Sequence, residues 1–344
     1  MEATELLGVE IPIIQAPMAG VQGSDLAMAV RGAGGLGSLP CAMLSPGALH
    51  DELTAIRAGG RGAVNVNFFC HTPPTPDAAA FAAWLDLLAP YYEEFGVAVP
   101  EVPLAAQRLP FGEQSLEVLR EFKPDVVSFH FGLPDAAFLD EIRSWGTKIL
   151  SSATSVAEAE WLAASGVDAV IAQGLEAGGH RGMFLSDDLG TQVGTMALVP
   201  QVVGAINIPV IAAGGIADAR GVKAALALGA IAAQVGTAYL LCPEATTSDV
   251  HRAALASPQA QTTAITNLFS GRPARSIVNR LIRDLGPMNP SVPAFPLALS
   301  ALTPLRAAAA DAGSGDFTAL WAGQSASRCR SVGAAVVTRE LAGV

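Results

Sequence analysis

The feature that most constrains this chain is an alternation. Eight short, apolar, β-rich runs recur at 11–16, 35–39, 63–69, 126–131, 147–152, 168–173, 208–213 and 232–237. Segments of helical composition follow several of them, at 24–31, 46–58, 156–165 and 218–228, with Ser24 a plausible N-cap of the first. Continuously apolar strands suit a parallel sheet covered on both faces, and eight of them alternating with helices are what an α/β TIM (β/α)8 barrel requires. The alternation is interrupted between the third and fourth runs, where a proline-rich stretch at 72–76 and helices at 78–95 and 113–122 imply an insertion at about 71–112. It ceases after residue 241. The remaining chain offers helical pieces at 248–255, 274–285 and 297–312 between Pro- and Gly-rich turns. The expected organisation is therefore a barrel over 1–242, a helical cap at 243–300 that covers the carboxyl ends of the strands and contributes to a substrate site, and a C-terminal helix and tail over 301–344 packing on the barrel.

Composition narrows the partners. The chain is 51% hydrophobic and carries 20 basic against 31 acidic residues, a net charge of −11. Neutralising nucleic-acid phosphates or an anionic membrane needs clustered Lys and Arg, so neither partner is expected. The four cysteines, Cys41, Cys70, Cys242 and Cys329, are widely spaced and show no metal-ligand pattern. The first residues are acidic and lack the order of a signal peptide, and the most membrane-like stretch, 224–241, is broken by Gly229, Gln234 and Gly236. A cytoplasmic protein, monomeric or a small homo-oligomer, is the expectation.

Chemistry concentrates at the strand ends. In Val126-Val127-Ser128-Phe129-His130-Phe131-Gly132-Leu133-Pro134 a strand terminates on an imidazole, and in a parallel barrel that end carries the active site. A core histidine bonded to a carbonyl is the plainer reading of the same residue. Gly178-Gly179, Gly214-Gly215 and Gly236-Thr237 follow or close the sixth, seventh and eighth runs. Glycines at such turns let backbone N–H groups approach a phosphate, so an acidic protein can hold an anionic cofactor without a basic patch. Asn67, Gln173 and Gln234 are amides at strand ends, and amides suit the alternating donors and acceptors of a flat heteroaromatic ring such as a flavin. The glycine run at 32–37 precedes a strand rather than following one, so it is not a dinucleotide fingerprint. Neither a metal helix nor a nucleophile elbow is present.

Together, Gln15-Ala16-Pro17-Met18-Ala19-Gly20, Asn65-Val66-Asn67-Phe68-Phe69-Cys70-His71, Ser128-Phe129-His130-Phe131-Gly132, Glu176-Ala177-Gly178-Gly179-His180-Arg181-Gly182 and Ala213-Gly214-Gly215-Ile216-Ala217-Asp218 resemble the motif set of nitronate monooxygenases. The resemblance runs from about residue 11 to 241, with a weaker echo at 275–286. It implies an FMN-dependent enzyme that oxidises alkyl nitronates, such as propionate 3-nitronate, with O2 to carbonyl compounds and nitrite. It also implies roles: Met18 and Ala19 against the flavin ring, Asn67 and Gln173 on its polar edge, Gly178, Gly179, Gly215, Gly236 and Thr237 at the phosphate, and His130 as the catalytic histidine. Gly214 and Gln234 join the cofactor set through their strand-end positions. His71 and His180 are second-tier candidates. The alternatives are an FMN-dependent NAD(P)H:quinone reductase or flavin-type enoyl-acyl-carrier-protein reductase on the same barrel, and a flavin-binding sensor without turnover.

Overall fold

The computed structural model describes residues 2–100 and 109–344; Met1 and residues 101–108 of the expected insertion lie outside the described residues. The barrel strands are β1 (Ile13–Gln15), β2 (Gly37–Pro40), β3 (Val64–Phe69), β4 (Val126–His130), β5 (Lys148–Ala153) and β6 (Ala169–Gln173), then, past the short β7 (Gly179–His180), β8 (Val210–Ala213) and β9 (Ala232–Val235). All pair in parallel in the order β1-β9-β8-β6-β5-β4-β3-β2, and a bridge between Ile14 and Leu36 brings the two ends of the sheet together. The TIM-barrel expectation holds.

Period-two alternation explains what each strand buries. Val66 and Phe68 of β3 and Val127 and Phe129 of β4 join a large cluster with Leu49, Leu53, Leu116, Leu119 and Leu139 of the surrounding helices. The alternate residues Asn67 and Ser128 face the barrel interior, where the Asn67 amide donates to Ser128 Oγ at 2.9 Å. His130 shares their parity. The lower interior is apolar: Ile14, Leu36, Val126, Leu150, Ile171 and Ile211 pack with Ala3, Leu6 and Leu7. Those last three belong to the helix Ala3–Leu7, which the acidic start of the sequence did not announce and which plugs the amino-terminal mouth.

Two expectations are corrected. Ser24 is not an N-cap: Gly23 holds that position, and the Glu52 carboxylate of the neighbouring helix accepts from Ser24 N at 2.7 Å. Residues 274–285 are not one helix. Ala274–Ile277 forms β11, paired antiparallel with both β10 (Thr263–Thr266) and β7, and only Arg280–Leu285 is helical. Four residues of ambiguous propensity took the conformation that their distant partners offered, as strand preference is largely context.

The tail lies over the carboxyl ends of the strands. Phe295 packs its ring against Phe69, Phe131 and His180, and β11 pairs with β7 just beyond β6. A second core forms here between Phe81, Trp84, Leu88, Tyr91 and Tyr92 of the helix Ala78–Phe95 and Leu281, Leu302, Leu305 and Phe317 of the tail. The helix Ala298–Asp311 thus spans the expected boundary at residue 300 and packs on the inserted helix rather than on the barrel. The last helix, Ala334–Ala342, does pack on the barrel's outer shell beside Ser24–Gly32 and Ala219–Ala227. No helix among the described residues is long and apolar enough to cross a membrane.

Trp84 is fully buried in that second core. Trp84→Ala should destabilise the chain by about 3–5 kcal/mol in chemical denaturation, the usual cost of truncating a large buried aromatic. A loss below about 1 kcal/mol would show that the inserted helix and the tail are not mutually supporting.

Candidate active site

One pocket at the carboxyl-terminal mouth gathers the catalytic and cofactor-binding candidates: Met18, Ala19, Asn67, His130, Gln173, Gly178, Gly179, Gly214, Gly215, Gln234, Gly236 and Thr237 all line it, whereas the second-tier candidate His71 is not among its lining residues. Its empty volume is about 1340 Å³ with the open mouth included.

Polar networks under the floor hold the lining in place. Gln15, fully buried at the end of β1, accepts from Ser38 N at 2.9 Å and donates to Gln22 Oε1 at 2.7 Å. Gln22 Oε1 also accepts from Met18 N at 3.1 Å, which fixes the turn carrying Met18 and Ala19. Asn65 donates to Ser38 Oγ at 3.0 Å and serves the barrel's internal bonding.

The loop after β6 is shaped by two buried arginines whose role the sequence did not disclose. Arg181 is fully buried and donates to Gly174 O and Gln173 O, each at 2.7 Å, and to Gln192 Oε1 at 2.9 Å. Arg275 of β11 donates twice to Leu175 O, at 3.0 and 2.8 Å. Burial lowers the pKa of Arg181 to about 10, with neighbouring Arg275 adding to the effect. Gln173 uses its amide within the same loop, donating to His180 O at 3.0 Å and accepting from Gly182 N at 2.8 Å. One amide hydrogen and one lone pair remain to it.

The glycines serve different needs. Gly179 and Gly215 both take φ +71, a left-handed conformation that a Cβ disfavours. Gly178 has another reason: a Cβ there would stand 2.5 Å from Gly323 N, so the glycine admits the tail. Gly323 in turn donates to Thr237 Oγ1 at 3.0 Å, and Ser325 Oγ donates to Gly215 O at 2.7 Å. Gly323, Ser325, Trp321 and His251 line the pocket from the tail, and none was singled out from the sequence. A glycine after an aromatic in Trp321-Ala322-Gly323 was the one available signal.

His130 stands at the end of β4, and the chain reverses immediately: Phe131 takes φ +69 and Gly132 φ +92. The left-handed region is unusual for a bulky residue, and here it turns Phe131 into the aromatic cluster of Phe69, His71 and Phe295. The Arg272 guanidinium lies 4.2 Å over the Phe131 ring and donates to Met183 O at 2.6 Å. His130 Nδ1 is 3.0 Å from Ser152 Oγ, and Nε2 is 3.3 Å from His180 O. A carbonyl only accepts, so Nε2 carries the proton and Nδ1 accepts from the serine hydroxyl. Desolvation pushes the pKa of His130 down to about 3; its hydrogen bond to the His180 carbonyl opposes this, while Arg272 and Arg181 reinforce it. The imidazole is neutral at physiological pH. His180 also lines the pocket, with Nε2 2.9 Å from Ser270 Oγ and its ring against Trp321.

Acid stability should report His130. Its folded-state value of about 3 lies below its ordinary 6.5, so between those values the unfolded chain binds more protons. The stabilisation is fully present above pH 6.5 and is lost as pH falls towards 3. His251, lowered to about 4 by burial, acts in the same direction. Denaturation midpoints measured across pH 3–7 should therefore fall less steeply on acidification in His130→Asn; an unchanged acid limb would place His130 at an ordinary pKa.

Comparison with known proteins agrees with this geometry. The family model for nitronate monooxygenase matches residues 2–338. Nitronate monooxygenases of Paraburkholderia phytofirmans and Pseudomonas aeruginosa are each 44% identical to the chain and match 98% of it, over 92% and 97% of their own lengths. A crystal structure of nitroalkane oxidase from Streptomyces ansochromogenes is similar with a TM-score of 0.89 at 40% identity, over 99% of this chain and 96% of that one. FabK from Thermotoga maritima is more distant, with a TM-score of 0.70 at 27% identity over 98% and 94% of the two chains. An oxidoreductase on a TIM barrel, this chain belongs to the nitronate monooxygenase family.

Proposed function

We propose that the chain binds FMN without a covalent link and uses it to oxidise alkyl nitronates with O2 to carbonyl compounds and nitrite. The observation that carries the reading is the convergence of the glycines and amides expected at the cofactor, with three imidazoles, on one pocket. The residues present also fit a flavin. Gln234 Oε1 is buried in the pocket wall without a hydrogen-bond partner among the described residues, as expected of an acceptor that a bound ligand would satisfy. Asn67 spends its amide donors on Ser128 and keeps its carbonyl oxygen available. In this reading Met18 and Ala19 support the ring, Asn67, Gln173 and Gln234 meet its polar groups, and Gly178, Gly179, Gly214, Gly215, Gly236 and Thr237 surround the phosphate. Bound FMN would supply electron acceptance and reaction with O2.

The chain's own contribution is positioning and proton handling. A neutral His130 is unsuited to holding an anionic nitronate by charge, and a pKa of about 3 makes it a weak base. Its Nε2–H instead holds the carbonyl of His180. We therefore assign the acceptor of the α-proton of a neutral nitroalkane to His180 rather than to His130, the catalytic histidine that the resemblance implies, and give His130 the task of fixing that residue's backbone. The inserted helix, the tail and Phe295 serve as the cap that limits water at the site.

Three measurements test this. Heat-released cofactor should be FMN by mass analysis, and recovery of FAD, or a colourless chain that FMN does not reconstitute, would refute the cofactor assignment. In anaerobic mixing, flavin absorbance should bleach with a nitronate and not with NADH; the reverse would favour the reductase reading. For His180→Asn we expect turnover of a neutral nitroalkane to fall by roughly two to four decades, the usual worth of general acid–base catalysis, with a smaller loss on the preformed nitronate. The same split in His130→Asn, with His180→Asn near wild type, would return the base to His130.

A further inference from the structure

His251 sits on the short helix Asp249–Leu255 of the tail, outside every motif that the strand ends supply. It is 3% exposed and lines the pocket, and its Nε2 is buried without a hydrogen-bond partner among the described residues. Its ring is hydrogen-bonded to the Trp321 carbonyl. Since a carbonyl cannot donate, and Nε2 has no partner, that bond comes from Nδ1–H, which leaves a lone pair on Nε2. Burial lowers the pKa of His251 to about 4, with Arg252 adding to the effect, so that lone pair persists at neutral pH.

The placement is enforced. The adjacent Arg252 donates to four carbonyls, Leu241 O at 3.1 Å, Cys242 O at 2.9 Å, Ala245 O at 2.7 Å and Thr247 O at 2.9 Å. These follow directly on the Thr237–Tyr239 turn of the proposed phosphate site. The clamp thus locks the helix to the β9 side of the pocket, away from Asn67 on β3. On the far side Trp321 leads into Gly323, whose amide donates to Thr237 Oγ1 at 3.0 Å. A buried, unsatisfied acceptor is destabilising unless a ligand supplies its donor, and Arg252 holds the helix that carries it against the pocket.

We propose that His251 is a cofactor-positioning residue whose Nε2 accepts a hydrogen bond from a hydroxyl of the flavin's sugar-alcohol chain. This rests on the FMN reading above. Among the donors of that molecule, the ring N–H belongs with the amides of β3 and β6, and a phosphate near neutral pH is chiefly an acceptor that a lone pair would repel. The chain hydroxyls are the donors that remain between those two ends.

Binding of three flavins to the full-length apoprotein, followed by fluorescence quenching, separates the possibilities: FMN, riboflavin without the phosphate, and lumiflavin without the hydroxylated chain. His251→Phe keeps a flat ring and removes the acceptor; it should weaken FMN and riboflavin alike by roughly fivefold, the net worth of one neutral hydrogen bond, and leave lumiflavin unchanged. His251→Gln, which retains an acceptor oxygen, should recover most of the loss. A loss shared by lumiflavin would reduce His251 to a packing role, and a loss confined to FMN would make it a phosphate ligand; either overturns the proposal, as does an unchanged affinity. Failure of the wild-type apoprotein to bind any of the three would instead overturn the FMN reading itself.

Discussion

The site depends on one buried cation. Arg181 lies at the barrel mouth with no carboxylate among its hydrogen-bond partners, and two backbone carbonyls and a glutamine oxygen take the five-donor fork. A buried charge is tolerated only when its donors are satisfied, so the loop that offers those carbonyls is bound to one shape. That loop carries Gly178, Gly179 and His180, and its carbonyl at His180 receives both Gln173 and His130. Arg275 repeats the device from β11 on Leu175 O, tying the tail to the same turn. Strand, loop and tail are thereby fixed by donors seeking oxygen rather than by apolar packing.

The two mouths of the barrel show what this arrangement is for. At the amino end the interior is filled by Ile14, Leu36, Leu150, Ile171 and Ile211, and Leu6 and Leu7 seal it. Nothing there could receive a ligand. Further along the strands the lining turns to Gln15, Asn67, Ser128, Ser152 and Gln173, all buried. Continuous apolar packing would have been the more economical core, since each buried polar group must find a partner. Most find one in the protein; among the described residues Gln234 Oε1 and His251 Nε2 in the pocket wall do not, and neither do Asn65 Oδ1, Thr247 Oγ1 and Arg306 Nε away from it.

What was legible in the sequence follows from the range of the interactions involved. The barrel strands were readable because apolar runs and glycine turns are local signals, and the helices Pro46–Ala58, Ala78–Phe95 and Glu113–Phe122 fall where composition and flanking turns put them. The pocket's glycines and amides were readable because each ends such a run. The tail was less so. Ala274–Ile277 becomes a strand because β10 pairs along its whole length and β7, almost a hundred residues earlier, offers it a second edge, and its own composition carries neither piece of information. The core joining Trp84 to Phe317 has the same character. His251 was missed for a related reason: a lone histidine on a short helix is ordinary until the fold turns it to the cavity. His130 was noticed correctly as an imidazole ending a strand; its neutral state comes from burial under the loop and tail, reinforced by Arg272 and Arg181 from two other segments.

An acidic chain that binds an anionic cofactor would be paradoxical if binding required net positive charge. The cations nearest the pocket are already committed: Arg181 and Arg275 to loop carbonyls, Arg272 to Met183 O and the Phe131 ring. They act on the pocket as a field, not as contacts, and that field is one of the causes that keep His130 neutral. Direct recognition is left to backbone amides, side-chain amides and hydroxyls, which bind through geometry and need no counter-charge of their own. Fixed dipoles in a partly dry cavity do not have to reorganise when charge develops near them, which is the condition under which electrostatic stabilisation of a reacting anion is most effective. The tail completes that condition, since Phe295 and Trp321 narrow the water's access while Gly323 and Ser325 bond to the strand-end turns beneath.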